Sequence, residues 1–192
     1  MADPAGIAAA FLDRVAHHWV YGGAAMVPVL LVLAALLDLG AAALAVFLVL
    51  PLYMIHQVEE HDADRFRTYV NEMVGPDRTG LSPANVAVIN IVFVWFFVAA
   101  SLWLHVAVSP AWGLLAGYLA LINGFVHLAP SVVRGSYNPG LVTAVVLLIP
   151  IGISVVALVP GPGLVGHLAS AGVVVLLHIG IVVLALRRRV AA

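Results

Sequence analysis

Long apolar runs alternate with short polar breaks along the whole chain. Runs free of charge cover about 22–37, 41–58, 86–108, 111–129, 140–159 and 164–186. At 1.5 Å per residue each is long enough, or nearly so, to cross a hydrocarbon layer as a helix, which takes roughly 20 residues. The pattern therefore predicts an all-α, polytopic membrane bundle of about six spans, forming a single domain over 1–192. The first span is the weakest, because Gly22, Gly23 and Pro28 interrupt it and Asp38 closes it. Ser82 and Pro83 give the third a start signal, as N-cap and first helical residue. "YNPG" at 137–140 precedes the fifth span and "PGPG" at 160–163 the sixth.

Between the spans, Phe66, Tyr69, Val70, Met73 and Val74 recur at helical spacing, with Arg67, Asn71 and Glu72 on the other face. This predicts an interfacial amphipathic helix over 66–74 that covers the bundle end. A weaker pattern of the same kind runs through Ile7, Phe11, Leu12, Val15 and Trp19. No uninterrupted apolar core follows a basic start in the first twenty residues, so no cleaved secretory signal is expected.

Composition agrees: 64% of residues are hydrophobic and 9% charged, against roughly 45–50% apolar in ordinary soluble domains. All eight basic residues are arginine. With a cytoplasmic N-terminus, Arg14, Arg65, Arg67, Arg78, Arg134 and Arg187 to Arg189 all fall inside, while the turns near Asp38, Ser109 and Pro160 carry no positive charge. The positive-inside rule thus places both termini in the cytoplasm, with a bacterial plasma membrane as the expected location. A net charge of −1 gives no case for nucleic acid. The absence of cysteine excludes disulfides, thiolate metal sites and a cysteine nucleophile.

The exception to the apolar pattern is "HQVEEH" at 56–61. At about 100° per residue, Glu59 and Glu60 lie on either side of His56 on one helix face, and His61 points about 140° away. A histidine and a carboxylate one turn apart are the spacing by which one helix offers two ligands to a metal ion. His127, at the same end of span four, can converge with them. His178 lies about two turns below Arg187 and is the expected additional ligand, whereas His105 and His167 sit at the opposite ends of their spans. The stretch approaches the inverted zinc-protease pattern H-x-x-E-H, but its second histidine comes one residue late. Charged groups in a bundle cost about 2.5–3.5 kcal/mol each on insertion scales and are placed there by default for function. Asn123 and Asn90 are supporting candidates at comparable depth.

"HQVEE" at 56–60, the later His127 and "YNPG" at 137–140, over about residues 24–160, resemble the HXXEE-motif family of small multi-span membrane proteins. The resemblance implies an enzyme-like metal site at His56, Glu59, Glu60 and His127, with Tyr137, Pro139 and Gly140, and brings no reaction with it. Pro139 and Gly140 also suit the centre of a type II turn, which can carry Tyr137 over the site. Tyr137, and Arg134 on the loop after span four, are candidates to stabilise charge on a reacting oxygen.

Two or three histidines with one or two glutamates fit one Zn²⁺ with an open position or a compact carboxylate-rich site, so the expected cofactor is a divalent metal, zinc or iron. The histidine boxes of membrane desaturases are missing. The reading is hydrolysis of a lipid-like amphiphile, its head at the metal and its tail between helices, with one glutamate as ligand and the other as general base. Alternatives are a non-haem iron oxidoreductase at the same residues, and a transporter or non-catalytic scaffold; a transporter would place its ionisable groups nearer mid-membrane.

Overall fold

The computed structural model describes residues 3–187, without the side chains of residues 4 and 5. It is all-helical among those residues. Six helices are long and apolar enough to cross a membrane, and the protein is an integral membrane protein. In chain order they are α1 (Pro4–Leu36), α2 (Ala41–His61), α4 (Pro83–Ala107), α5 (Gly113–Arg134), α6 (Leu141–Leu158) and α7 (Gly163–Ala185). The short helix α3 (Arg65–Val74) lies between α2 and α4.

The first span differs from expectation. Instead of a short amphipathic piece and a separate span from residue 22, one 33-residue helix runs from Pro4 to Leu36 with Pro28 inside it. An open backbone amide is costly in hydrocarbon, so helices there continue through glycine and proline that would end a soluble helix. At 1.5 Å per residue, about 50 Å of helix exceeds a roughly 30 Å core, and its first turns extend past it. The same logic carries α5 through Pro130 to Arg134. Ser82 and Asn85 form the capping box that opens α4: the Asn85 N–H donates to Ser82 Oγ (3.1 Å) and the Ser82 N–H to Asn85 Oδ1 (3.2 Å).

The core gathers on α2 and α5, where Val46, Val49, Leu114, Ala116 and Ala120 are fully buried, with Leu148 and Val155 of α6 and Val174 of α7. α5 and α6 approach through glycine. A Cβ on Gly152 would stand 2.8 Å from the Leu121 nitrogen, and one on Gly117 2.7 Å from Val155. Helices in lipid gain contact by such small-residue faces rather than by expelling water. This close approach brings the last turn of α5 and the first turn of α6 against the last turn of α2. Both α4 and α6 carry a π-helical stretch, Ile89–Trp95 and Ala144–Leu148.

Candidate metal centre

The last turn of α2 supplies His56, Glu60 and His61, and α5 supplies His127. All four are buried, at 0, 6, 8 and 4% exposure. Glu60 stands at the middle: its Oε2 lies 3.4 Å from His56 Nε2 and its Oε1 3.4 Å from His127 Nε2. The two imidazoles meet edge to face, centroids 4.9 Å apart. Ligand atoms of His56, Glu60 and His127 lie within 4.8 Å of one another, so the three can hold a metal ion.

The surrounding hydrogen bonds fix which nitrogen carries each proton. Thr143 Oγ1 donates to Glu59 Oε2 (2.5 Å), and a hydroxyl has only one proton to give. His56 Nδ1, 3.0 Å from the same oxygen, must therefore be the donor in that contact. Asn138 spends its amide N–H groups on the His127 carbonyl (2.8 Å) and Ser131 Oγ (2.7 Å), which turns its Oδ1 toward His127 Nδ1 at 2.9 Å. His127 Nδ1 is again the donor. In the neutral form each histidine then turns its Nε2 lone pair toward a carboxylate that only accepts when ionised, and the His56 lone pair also accepts from Asn123 Nδ2 at 3.2 Å. Lone pairs converging on a carboxylate repel unless a proton or a metal ion lies among them, and a partner that fixes the tautomer from behind is how metal-ligating histidines are held. The donor set fits a divalent metal.

Glu59 does something else. Its Oε1 accepts from the Tyr137 hydroxyl (2.9 Å) and the Val142 N–H (3.1 Å), and its Oε2 from the Thr143 N–H (2.7 Å) and hydroxyl. Val142 and Thr143 are in the first turn of α6, so the carboxylate satisfies open amides at a helix N-terminus, where the dipole favours negative charge. The structure places Glu59 behind His56, reaching it through Thr143, and outside the three-residue ligand group. Partial burial and the Glu59 carboxylate raise the Tyr137 phenol above its ordinary value, keeping it protonated at neutral pH.

"YNPG" closes over the opposite side. The Leu141 N–H bonds the Asn138 carbonyl (3.1 Å) around Pro139 and Gly140. Gly140, at φ 94° and ψ −7°, has the third-residue conformation of a type II turn. A Cβ there would stand 2.8 Å from His56 Cε1 and 3.0 Å from His127 Cε1. Tyr137 reaches Glu59, while Asn138 is the residue that orients His127.

His61 is placed where helical periodicity did not put it. Its Nε2 lies 3.0 Å from Glu60 Oε2, because α2 ends at this residue (φ −111°, ψ −8°) and the chain turns sharply through Ala63 and Asp64 at φ 52° and 61°. The same Nε2 is 3.3 Å from Asn90 Nδ2. With the proton on Nε2, His61 donates to Glu60; with it on Nδ1, the Nε2 lone pair accepts from Asn90. Asn90 is itself aligned, since Trp95 donates to Gln57 Oε1 (2.7 Å) and Gln57 to Asn90 Oδ1 (2.8 Å). The available signal was its adjacency to Glu60 at a helix end.

His178 stands one residue further out. Its Nδ1 bonds the Val174 carbonyl (2.9 Å), and its Nε2 faces Asn123 Oδ1 at 3.5 Å, while Asn123 Nδ2 donates to His56 Nε2 at 3.2 Å. Arg134 donates to the Tyr69 hydroxyl (3.1 Å) and contacts Met73 Sδ, both on α3. His105 pairs with the Pro110 carbonyl (2.7 Å) and His167 with Tyr118 (3.0 Å), away from the centre.

A cavity of about 890 Å³ opens beside the centre, lined by Glu60, His61, His127, Asn123 and His178. All five apolar residues of the α3 pattern, Phe66, Tyr69, Val70, Met73 and Val74, wall it. The amphipathic face predicted there is turned inward onto this space.

No curated protein and no solved structure matches the chain. A family model described as "Protein of unknown function with HXXEE motif" matches residues 47–155, more than half of the chain and the whole of α2 from Phe47, α4, α5 and most of α6. Both glutamates, both tautomer-fixed histidines and the turn that packs on them lie within that match, and the chain belongs to the HXXEE family.

Proposed function

We propose that the protein is a metal-dependent membrane enzyme that hydrolyses a lipid-like ester or amide. The observation that carries this reading is the convergence of two imidazole Nε2 atoms and one carboxylate, all buried, with Glu60 and His127 on the wall of a cavity lined largely by apolar residues. Zinc or another divalent ion held by such a set acts as a Lewis acid and lowers the pKa of water toward neutrality, which provides a nucleophile in a site without cysteine. In the reaction the water oxygen joins the acyl carbon, the bond to the leaving oxygen or nitrogen breaks, and the proton passes to the leaving group. Glu59 is committed to the α6 N-terminus. The proton-accepting role expected of the second glutamate therefore falls to His61, whose Nε2 stands 3.0 Å from Glu60 Oε2 on the cavity wall. Asn138 holds His127 from behind through Nδ1, whereas Asn123 occupies the His56 Nε2 lone pair and must release it for a metal to bind there.

Elemental analysis of purified protein, followed by assay with acyl esters and amides under nitrogen, tests this. Zinc near one per chain and hydrolysis without oxygen are the expected results. Bound iron with turnover that requires O₂ and a reductant would replace hydrolysis by oxidation.

The same reading puts the centre at the cytoplasmic face, with both termini inside. The loops at 62–82 and 135–140, which carry or adjoin Arg65, Arg67, Arg78 and Arg134, share the end of the bundle that holds the centre; Arg188 and Arg189 lie outside the described residues. Because the chain has no cysteine, single cysteines report cleanly. Asp38→Cys is expected to react with an impermeant maleimide on intact cells, and Asp77→Cys only after lysis. The reverse pattern overturns the orientation.

A further inference from the structure

The cavity is ordered along its length. On α5 its lining runs from Leu119 through His127 to Arg134. Eight residues separate the first pair and seven the second, or about 12 Å and 10 Å of helix rise. Leu119, Val94 and Leu176, which stand 15, 11 and 9 residues in from the ends of their helices at Arg134, Pro83 and Ala185, supply apolar wall deeper in the bundle. Glu60 and His127 stand in the middle. Arg78, Arg134 and Arg187 line the far end, and Glu60 is the one acidic residue of the lining.

Charge therefore sits at one end of the cavity and apolar surface at the other, with the candidate metal ligands between. Arg134 donates to the neutral Tyr69 hydroxyl and to the Met73 sulfur, and neither group offsets its positive charge. Guanidinium groups are the side chains best matched to planar or tetrahedral oxyanions. The volume lies within the roughly 300–1,000 Å³ of small-molecule sites, space for one ligand of modest size.

Building on the hydrolase reading, we propose that the ligand is a single-chain anionic amphiphile whose cleavable carbonyl lies between its charge and its tail. The anion sits at Arg134 and Arg187, the carbonyl at the level of His56, Glu60 and His127, and the alkyl chain against Val94, Leu119 and Leu176. The charge is then displaced by about 10 Å of helix rise from the ligand triad. The expectation from sequence alone, a polar head on the metal, is replaced by a head beyond it.

The probes are 6-(dodecanoylamino)hexane-1-sulfonate and N-(6-hydroxyhexyl)dodecanamide, which share chain, amide and a spacer of roughly 10 Å and differ in a terminal sulfonate against a hydroxyl. Each is titrated calorimetrically into full-length, metal-stripped protein in nanodiscs of zwitterionic lipid, with empty nanodiscs as the blank. The sulfonate is expected to bind at least about tenfold more tightly, the scale of a charge-assisted contact. The Arg134→Gln/Arg187→Gln double variant is expected to lose that preference while binding the neutral amide as before. If the double variant binds neither, the single variants, each expected to lose part of the preference, carry the test. Equal affinities in the unaltered protein, or a preference that survives the substitutions, overturn the anion site. Because metal is absent from the titration, a failed hydrolysis assay leaves this result standing, and equal affinities beside intact hydrolysis defeat this proposal alone.

Discussion

Replacing His127 with alanine is expected to empty the metal centre. Bound metal should fall from about one per chain to below about one-tenth after dialysis against a weak chelator, read by elemental analysis. The reason is the small number of ligands. Removal of a residue that only orients a ligand typically weakens metal binding about 10–100-fold, and His127 is itself a donor, with its Nε2 3.4 Å from Glu60 Oε1. His56→Ala and Glu60→Gln should act alike, and Glu60→Gln does so at almost constant volume, which guards against a loss that is only unfolding. Glu59→Gln should differ in kind. It weakens the support of Thr143 behind His56, so affinity drops about ten- to hundredfold while stoichiometric binding returns at higher metal concentration. His105→Ala and His167→Ala should bind normally, since each side chain pairs locally at the other end of its helix. Full metal retention in both His56→Ala and His127→Ala would sink the assignment.

The second large effect needs no ligand to be removed. Gly140→Ala adds one methyl group between the two imidazoles, where the nearest carbons stand at 2.8 and 3.0 Å. Real Cβ atoms essentially never make the shorter contact and rarely the longer, so His56 and His127 must part or the turn must move. Gly135→Ala is the natural control. It has the same left-handed backbone, at φ 62° against φ 94°, yet nothing lies within 4 Å of its added Cβ. Both variants pay the left-handed cost of about 1–2 kcal/mol, and only Gly140→Ala meets the histidines. Metal affinity should fall by more than about 100-fold in Gly140→Ala, beyond the loss of an orienting partner, and stay unchanged in Gly135→Ala. Equal binding by the two would show that the loop yields and the centre does not depend on it.

Much of the fold was legible because hydrocarbon imposes a simple constraint. A backbone that must satisfy its own hydrogen bonds and cover about 30 Å leaves few solutions for an apolar run of twenty residues. The spans could be counted for that reason, and Ser82 and Pro83 marked a true helix start. The inward face of α3 was written in the spacing of Phe66, Tyr69, Val70, Met73 and Val74. The start of the first span was misjudged because Gly22, Gly23 and Pro28 were weighed as they act in water.

At the centre, the sequence by itself determined which residue types stand at which depth and on which face of their own helix. That is enough to bring His56, Glu60 and His127 together, because helical period and span order are local properties. The tertiary structure decided the division of labour between neighbours. Glu59 and Glu60 are chemically identical and adjacent, yet Glu59 faces the open amides of a helix more than 80 residues away in sequence and Glu60 faces the imidazoles. His61 joins the carboxylate because α2 ends at it, so an angle extrapolated from an ideal helix no longer applies. His178 lies at a suitable depth, but Asn123 of α5 stands between it and His56. Asn138 turned from an unremarked loop residue into the partner that fixes a tautomer. A period along one helix sets direction relative to that helix axis; what stands in that direction is set by packing, here by the glycine contacts that bring α5 and α6 against each other.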